Sequence, residues 1–426
     1  MSWTRRQFLK ASSATLTSTA AFGLSACAGT PVGAPKVVVV GGGYGGATAA
    51  KYVRKWSDGA IEVTLVERDA EFVSCPLSNL VIGGSRKIAD ITVPYGGLER
   101  WGVRRIRDEA IEIDATARKV KLAGGPALAY DRLIVSPGVD FLWGEIPSLA
   151  SESARERVLH AWRAGPQTVA LRRQLEAMPD GGTFVIHIPT SPYRCPPGPY
   201  ERACQAAHYF STQKKKSKVI ILDANGDVQS KKAMFMDAWS GRYRGYVDYR
   251  PNSGLVDVDV ATLTAKLDFE SVKADVLNVI PPQHAGAIAR QAGMANANGR
   301  FCQVDFLTYE STAQKNIHIL GDAIQVAPLM PKSGHMANQH GKVCAAAVVA
   351  LLTGAEVNPS PIVANTCYSY IDDKEVGHVA SVHVYDAEKK TMVVVAGSGG
   401  LSTAPSAEEG VFADAWAQNI WADMLA

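Results

Sequence analysis

The chain has 426 residues, of which 47% are hydrophobic and 20% are charged, and its formal net charge is +3. This composition is that of a globular protein with enough residues for two or three domains and an ample core. The near balance of charge gives no reason to expect nucleic-acid binding. The seven cysteines are spread too widely for metal-ligand spacing, so no metal site is expected.

The first 35 residues have the pattern of an export signal. A twin arginine at positions 5 and 6 is followed by Phe-Leu-Lys and by an apolar segment that ends at Ala26. This segment is too short and too rich in hydroxyl groups for a membrane span. Cys27 ends a stretch that resembles a lipoprotein box, and residues 26–28 equally resemble a cleavage site; the sequence leaves both open. We expect twin-arginine export to the periplasm, with membrane contact only through a lipidated Cys27.

The stretch 36–50 predicts a buried strand, a glycine-rich turn and a helix. Gly41, Gly43 and Gly46 occupy the three positions of a dinucleotide fingerprint, which serve the tight turn, the approach of a pyrophosphate and helix–strand packing. The next predicted strand ends at Glu67, about 20 residues further on, where a carboxylate accepts hydrogen bonds from ribose hydroxyls. The pattern therefore predicts a dinucleotide at a helix N-terminus, without choosing between FAD and NAD.

A second strand–helix–strand pattern follows in the middle of the chain. Predicted strands at 183–188 and 218–223 flank a predicted helix at 200–213. The turn 189–201 carries five prolines where relatives that bind a pyridine nucleotide carry glycines. Prolines lack N–H donors and stiffen the loop, so this turn cannot cradle a pyrophosphate. We expect a second dinucleotide-binding fold that has lost its NAD(P)H site.

The remaining predicted elements are a strand at 317–319, an alanine-rich helix after Met330, a β-ribbon at 377–396 and a terminal helix. Residues 130–138 and 317–323 resemble two phrases of flavoproteins that have two dinucleotide domains. In those proteins a strand-end aspartate hydrogen-bonds the ribityl chain of FAD. On that resemblance, Glu67 and Asp322 together indicate FAD rather than NAD.

Five phrases carry a more specific resemblance; they are residues 41–52, 74–84, 194–202, 330–334 and 365–369. By these phrases the chain resembles the flavoprotein subunit of flavocytochrome c sulfide dehydrogenase. That family is related to sulfide:quinone oxidoreductases among the glutathione-reductase-like flavoproteins, and the similarity covers essentially the whole mature chain. It implies an α/β fold with two Rossmann-like dinucleotide-binding domains of the glutathione-reductase type plus a C-terminal α+β interface domain. The expected domains are the signal at 1–35, an FAD domain at 36–148 and 291–355, the second Rossmann-like domain at 149–290 and the interface domain at 356–426.

The resemblance also implies roles for individual residues. Cys75 corresponds to the cysteine that the family joins as a thioether to the C8 methyl group of FAD. Cys195 and Cys367 correspond to the redox-active disulfide, for which a purely structural disulfide is the alternative. Glu201, six residues after Cys195, is a candidate for moving protons, and Lys332 for stabilising an anionic reduced flavin. For both of these side chains the alternative is a solvated surface position.

The function that the resemblance implies is a periplasmic sulfide dehydrogenase. Sulfide is oxidised to sulfur or polysulfide through the disulfide and FAD, and the electrons pass to a c-type cytochrome. The chain has no Cys-x-x-Cys-His, so any haem belongs to a partner subunit. The alternatives are a sulfide:quinone oxidoreductase, an NAD(P)H-dependent disulfide reductase, and a flavin electron-transfer partner without turnover of its own.

Overall fold

The computed structural model describes residues 33–426, and residues 1–32, which include Cys27 and nearly all of the predicted export signal, lie outside the described part. The strands, in chain order, are β1 (Lys36–Val40), β2 (Glu62–Val66), β3 (Glu71–Val73), β4 (Thr92–Pro94), β5 (Val103–Ile106), β6 (Ala110–Asp114), β7 (Lys119–Leu122), β8 (Leu128–Ala129), β9 (Arg132–Val135), β10 (Val139–Phe141), β11 (Thr183–Ile188), β12 (Lys218–Asp223), β13 (Val247–Arg250), β14 (Leu255–Asp259), β15 (Thr264–Leu267), β16 (Ser271–Lys273), β17 (Val276–Val279), β18 (Gln283–Ala285), β19 (Ile317–Ile319), β20 (Ile362–Tyr370), β21 (Val376–Asp386), β22 (Thr391–Val394) and β23 (Gly400–Leu401). The α-helices are α1 (Tyr44–Trp56), α2 (Ser78–Gly83), α3 (Gly96–Arg100), α4 (Glu152–Arg157), α5 (Pro166–Ala177), α6 (Gly198–Gln213), α7 (Lys232–Ser240), α8 (Ala287–Gln291), α9 (Gly334–Thr353) and α10 (Ala407–Leu425).

The first lobe is built on a five-stranded parallel sheet with the order β19-β9-β1-β2-β5. The four valines of β1 are buried, as expected for a central parallel strand that is covered on both faces. Helix α1 follows β1 directly, and the small residues Ala47, Ala49 and Ala50 on it are fully buried. Helix α9 packs against α1, where a Cβ at Gly341 would lie 2.6 Å from the Gly45 carbonyl oxygen. The lobe therefore depends on small residues at its helix contacts.

The second lobe repeats this plan with the parallel order β13-β12-β11-β17. Helix α6 leaves the carboxyl end of β11, as in a dinucleotide-binding unit. The antiparallel strands β14, β15 and β16 are attached to this lobe, and β10 pairs with β18 between the two parallel sheets. The two Rossmann-like lobes expected from the sequence are thus confirmed.

The C-terminal part consists of an antiparallel sheet and a helix. Strand β20 pairs along its whole length with β21, which also pairs with β22 and β23. Helix α10 returns to the first lobe, where Lys51 Nζ donates hydrogen bonds to the carbonyl oxygens of Ala422 (3.1 Å) and Asp423 (2.8 Å). The C-terminal end of β20 contacts the second lobe, because the Tyr370 N–H donates a hydrogen bond to Glu201 Oε1 at 2.9 Å. This α+β part matches the expected fold, and the exact domain boundaries stay predictions.

No helix between residues 33 and 426 is both long and apolar enough to cross a bilayer. Of the two tryptophans on α10, Trp421 is only 4% exposed and belongs to the core, whereas Trp416 is half-buried.

Candidate functional site

A cleft of about 640 Å³ lies at the carboxyl ends of the first-lobe strands. Its wall includes Gly41, Gly43, Glu67, Cys75 and Asp322, all of which the sequence assigns to FAD binding. Ligands of open α/β sheets bind at this edge, and the volume is within the range of cofactor sites. The structure therefore brings together most of the predicted cofactor residues, although they come from four segments of the chain.

The three fingerprint glycines differ in their surroundings. Gly41 has a φ of +94°, which the tight turn requires, and its N–H donates to the Val66 carbonyl oxygen at 2.9 Å at the end of the β1–β2 ladder. A Cβ at Gly46 would lie 1.9 Å from the Gly41 carbonyl oxygen, so a side chain there would force helix and turn apart. A Cβ at Gly43 would meet no atom within 4 Å and would instead enter the cleft. The turn is thus shaped to leave Gly43 open to a phosphate group.

Glu67 follows β2 at the wall of the cleft. Its Oε2 accepts a hydrogen bond from the Gly42 N–H at 2.6 Å, and its Oε1 accepts one from the Asp69 N–H at 2.8 Å. These bonds fix the carboxylate beside the glycine turn. Each carboxylate oxygen can accept more than one hydrogen bond, so capacity remains for ribose hydroxyls.

Asp322 supplies the clearest sign that the cleft suits a polar ligand. Among the described residues, its buried Oδ1 has no hydrogen-bond partner, which is costly unless a ligand supplies a donor. The neighbouring carbonyl oxygen of Asp322 accepts a hydrogen bond from Lys332 Nζ at 2.9 Å. The glycine turn, Glu67 and Asp322 together therefore fit an FAD molecule with its hydroxylated chain along the cleft.

Lys332 is 4% exposed, which excludes the solvated alternative. Its Nζ donates to the carbonyl oxygens of Asp322 and Ile324 and lies 3.8 Å from the centre of the Phe301 ring. Burial lowers the pKa of Lys332 to about 8, because the charged form loses hydration. The ammonium fastens the Asp322 turn, and direct contact between Lys332 and the flavin stays a prediction.

A smaller cavity of about 130 Å³ adjoins the cleft, and we call it the thiol cavity. Cys195, Glu201 and Cys367 line it, so the structure places the predicted redox and proton-transfer residues at one site. Cys195 and Glu201 come from the second lobe, and Cys367 comes from β20. The residues that line both the cleft and the thiol cavity are Tyr44, Cys75, Arg194, Asp322 and Gly334.

Cys195 lies in the proline-rich turn just before α6. Its φ is +55°, and its N–H donates to the Lys332 carbonyl oxygen at 2.8 Å, which ties the turn to the first lobe. A Cβ at Gly198 would lie 2.9 Å from Cys195 Sγ, so the first turn of α6 leaves room for this sulfur. Cys195 is accessible from the cavity, yet burial of its surroundings, with Cys367 and Glu201 nearby, raises the pKa of its thiol.

Cys367 is half-buried in the middle of β20. Asn365 Nδ2 donates a hydrogen bond to its Sγ at 3.3 Å, and Asn365 Oδ1 accepts one from Ser333 at 2.6 Å. Cys195 and Cys367 are both thiols in this structure, so their pairing as a disulfide stays a prediction. The structure shows that both cysteines lie on the wall of one small cavity.

Cys75 lies between the cleft and the thiol cavity. Arg194 Nη2 donates a hydrogen bond to Cys75 Sγ at 3.2 Å, and the same nitrogen contacts the Trp162 carbonyl oxygen. This contact fixes the Cys75 sulfur at the boundary of the two cavities. Cys204, Cys302 and Cys344, by contrast, are fully buried core residues.

Glu201 is 9% exposed and is therefore not a solvated residue of the helix start. Its Oε2 accepts from Asn79 Nδ2 at 2.7 Å and its Oε1 accepts from the Tyr370 N–H. Burial raises the pKa of Glu201, and those hydrogen bonds, with the charges of Lys231 and Arg202, oppose the rise. A carboxyl group on the wall of this cavity with a raised pKa is a candidate for proton exchange.

The corresponding turn of the second lobe is arranged differently. Asp223 ends β12, where an NAD-binding lobe places its ribose acceptor. Here its buried carboxylate accepts from the hydroxyl groups of Tyr200 (2.7 Å) and Tyr249 (3.1 Å) and from the Asn225 side chain (2.7 Å). Helix α6 also begins between Pro197 and Pro199. These contacts favour the prediction that the second lobe has lost its nucleotide.

Sequence reasoning missed the charged residues that surround the thiols. Arg202 is 1% exposed, donates to Asn79 Oδ1, Asn278 Oδ1 and the Ala161 carbonyl oxygen, and its pKa is lowered by burial to about 9. Arg194 and Lys231 were also missed. Arg194 and Arg202 are the first and last residues of the phrase 194–202, so that phrase could have identified them. Nothing in the sequence marks Lys231.

Three protein-family models match: the central part of the sulfide dehydrogenase [flavocytochrome c] flavoprotein chain (residues 168–281), the flavin-binding part of flavocytochrome c sulphide dehydrogenase (359–425) and pyridine nucleotide-disulphide oxidoreductase (35–176). The chain is also 61% identical over 49 residues to the sulfide dehydrogenase [flavocytochrome c] flavoprotein chain of Chlorobaculum thiosulfatiphilum, which is 12% of this chain and 100% of that sequence. The chain belongs to this flavoprotein family.

Flavocytochrome c sulfide dehydrogenase flavoproteins share their fold with more distant relatives. The chain is 23% identical over 298 residues to the mitochondrial sulfide:quinone oxidoreductase of Dictyostelium discoideum, which is 67% of this chain and 65% of that protein. The solved sulfide:quinone oxidoreductase of Aquifex aeolicus superposes with a TM-score of 0.74 at 19% identity, over 92% of each chain. The match to the Dictyostelium protein thus spans slightly less than two thirds of its length, and the solved structure shows the common fold.

Proposed function

We propose that this protein is the flavoprotein subunit of a periplasmic sulfide dehydrogenase. It oxidises sulfide to sulfur or polysulfide through a Cys195–Cys367 disulfide and FAD, and it passes the electrons to a c-type cytochrome. One observation carries the proposal: the cavity that Cys195 and Cys367 line shares a wall with the cofactor cleft. Two sulfurs within one small cavity beside a flavin cleft are the arrangement that sulfide oxidation through a disulfide requires.

The residues of the cleft would hold FAD in a defined orientation. Gly43 and the N-terminus of α1 receive the pyrophosphate, Glu67 accepts from the ribose, and Asp322 accepts from the ribityl chain through its free Oδ1. Cys75 would hold the flavin through a thioether, and its place on the wall of both cavities supports this role. Bound FAD supplies an acceptor that takes two electrons together and releases them singly.

The two cysteines perform the substrate chemistry. Hydrosulfide attacks one sulfur of the disulfide, which gives a persulfide on that cysteine and a thiolate on the other. The mostly apolar lining, which includes Trp162 and Trp416, limits the water that reaches these sulfurs. Glu201 exchanges the protons that are released, because it lines the same cavity as the two sulfurs and its pKa is raised by burial.

Family membership and the sequence support electron delivery to a cytochrome. The chain has no haem-attachment motif, so the haem belongs to a partner subunit. The twin-arginine pattern would carry the folded flavoprotein to the compartment in which c-type cytochromes act. The similarity to two sulfide:quinone oxidoreductases favours a quinone as the second candidate acceptor.

A steady-state assay with sulfide separates these acceptors. The purified protein is given sulfide and either a c-type cytochrome or a soluble quinone analogue, and NADH replaces sulfide as the control donor. We expect sulfide-dependent reduction of the cytochrome and little reduction with NADH. Reduction of the quinone alone would favour the second candidate, and NADH activity that exceeds sulfide activity would overturn the proposal.

A further inference from the structure

A buried lysine lies behind the wall of the thiol cavity. Lys231 is 5% exposed, and its Nζ donates hydrogen bonds to Ser369 Oγ at 2.6 Å and to the Gly377 carbonyl oxygen at 3.3 Å. Both partners are neutral, and within residues 33–426 this ammonium forms no ion pair with a carboxylate. The carboxylates that act on its charge, Glu201 and Glu409, lie beyond ion-pair distance. A buried charge without a contact ion pair is costly, so its position calls for a functional explanation.

The β-sheet connects this ammonium to one of the two thiols. Side chains alternate along a strand, so Asn365, Cys367 and Ser369 of β20 share one face. Ser369 lies opposite Gly377 in the β20–β21 pair, so the two partners of Lys231 are neighbours across the ladder. Ser369 also lines the thiol cavity. The ammonium of Lys231 is thus bound to a side chain on the same strand face as Cys367.

The backbone conformation of Lys231 indicates that the surrounding structure holds this residue in a defined position. Its φ is +53°, in the left-handed region that residues with a side chain rarely adopt. Such conformations persist where the surrounding structure fixes them, and they are frequent at functional sites. The neighbouring Lys232, by contrast, is exposed and pairs with Asp227 at 2.6 Å.

We propose that Lys231 is a positioning residue that makes Cys367 the sulfur that leaves when hydrosulfide opens the disulfide. The inference rests on the proposed function. In this step the sulfur of hydrosulfide forms a bond to Cys195 Sγ, and the Cys195–Cys367 bond breaks. The electron pair of that bond goes to Cys367 Sγ, so the products are a Cys195 persulfide and a Cys367 thiolate. The disulfide itself is the oxidant, and the ammonium stabilises the new thiolate through Ser369.

The properties of the two thiols agree with this direction. Cys195 is the more exposed of the two and is therefore more open to attack. Burial raises the pKa of its thiol, and a thiol with a high pKa leaves slowly in disulfide exchange. Burial also lowers the pKa of Lys231 to about 8, so its charge is present at neutral pH and is lost in mildly alkaline solution. The other acidic, basic and thiol groups that line the thiol cavity or act on the ammonium are Cys75, Arg194, Glu201, Arg202, Asp322, Lys332, His335 and Glu409.

Alkylation of the reduced protein tests the electrostatic role without any sulfide. The rate at which iodoacetamide modifies Cys367 is followed against pH by mass spectrometry for the wild type, Lys231→Met, Lys231→Arg and the control Lys232→Met. We expect the pH midpoint for Cys367 to rise by about one unit in Lys231→Met, with a roughly tenfold lower rate at neutral pH. Lys231→Arg and Lys232→Met should stay near the wild type. An unchanged midpoint in a folded Lys231→Met would overturn the proposal.

Trapping of the first product tests the direction in the unmodified holoprotein. The oxidised protein is mixed with one equivalent of sulfide without oxygen, quenched rapidly with an alkylating agent and digested. Extra sulfur on the Cys195 peptide supports the proposal, and extra sulfur on the Cys367 peptide overturns it. If neither peptide gains sulfur, the proposed function fails, whereas the alkylation comparison still decides whether Lys231 acts on Cys367.

Discussion

At the scale of single residues, two glycines of the first turn have different roles, one in folding and one in cofactor binding. We predict that Gly46→Ala lowers the free energy of unfolding by about 1–3 kcal/mol or more, because its Cβ would overlap the Gly41 carbonyl oxygen. Gly43→Ala should leave the fold intact, because its φ of −70° suits alanine and no atom lies within 4 Å of the new Cβ. The new methyl group would instead weaken FAD binding. Thermal unfolding and retained FAD, measured on both variants, check this contrast. Equal stability of the two would contradict it.

Cys75 gives a second prediction at this scale. After acid denaturation and precipitation, we expect the yellow chromophore of the wild type to remain on the peptide that contains Cys75. In Cys75→Ala the flavin should appear in the supernatant, while the matched control Cys344→Ala should behave as the wild type, because Cys344 is buried in α9. Free FAD from the wild type would exclude the thioether.

The sequence identified the residues of the site better than it predicted whether each of them is buried or exposed. Gly41, Gly43 and Asp322 were found from motifs that can be recognised within short stretches of the sequence. The sequence left Glu201 and Lys332 open between solvent and site, since burial depends on chain segments that pack from elsewhere. Glu201, for example, receives its hydrogen bonds from Asn79 and Tyr370, which are 122 and 169 residues away. Such partners cannot be inferred from spacing.

At the scale of elements, continuous apolar runs were the most reliable signal. The strands predicted at 183–188 and 218–223 are β11 and β12 with the same bounds, because buried parallel strands need apolar residues on both faces. Helix α6 begins at Gly198, two residues before its predicted start. Proline is tolerated in the first turn of a helix, where the N–H groups have no intrahelical acceptor, so Pro199 does not prevent the earlier start.

The attachment of α10 was beyond the reach of local patterns and gives a third prediction. Asp423 accepts hydrogen bonds from Tyr52 at 2.6 Å and Asn338 at 2.8 Å and pairs with Lys342 at 3.0 Å. Burial alone would raise the pKa of Asp423, but these contacts bring it below its ordinary value. Asp423→Asn should therefore lower the free energy of unfolding at neutral pH by about 1–3 kcal/mol.

The pH dependence of this effect has a defined sign. A carboxyl group whose pKa is lower in the folded state stabilises the fold above its unfolded pKa, and this contribution is lost as the pH falls through the folded value. The difference in unfolding free energy between wild type and Asp423→Asn should thus shrink below about pH 4. The exposed Glu408→Gln on the same helix is the control, with an expected change within about 0.5 kcal/mol. A difference that stays constant down to low pH would show that the carboxylate charge is not involved.

At the scale of the whole molecule, the site is a meeting point of three parts of the chain. Cys195 enters from the second lobe, Cys367 from the C-terminal sheet and Asp322 from the first lobe, and all three line the thiol cavity. From the sequence alone, each of these three residues could be assigned only a position within its own element, at its end or in its middle. Only the family resemblance paired the two cysteines, because a pairing across the chain leaves no periodic signal.

The most direct test of the central claim is an anaerobic titration of the flavin absorbance with sulfide. In the wild type and in the control Cys344→Ala, we expect about one equivalent of sulfide to bleach the flavin, because the two thiol-cavity cysteines deliver its two electrons. Cys195→Ser and Cys367→Ser should keep their FAD and lose sulfide-dependent bleaching by at least a hundredfold in rate, since removal of an essential nucleophile or leaving group costs on the order of 10² or more. Bleaching at the wild-type rate in either serine variant would contradict the account.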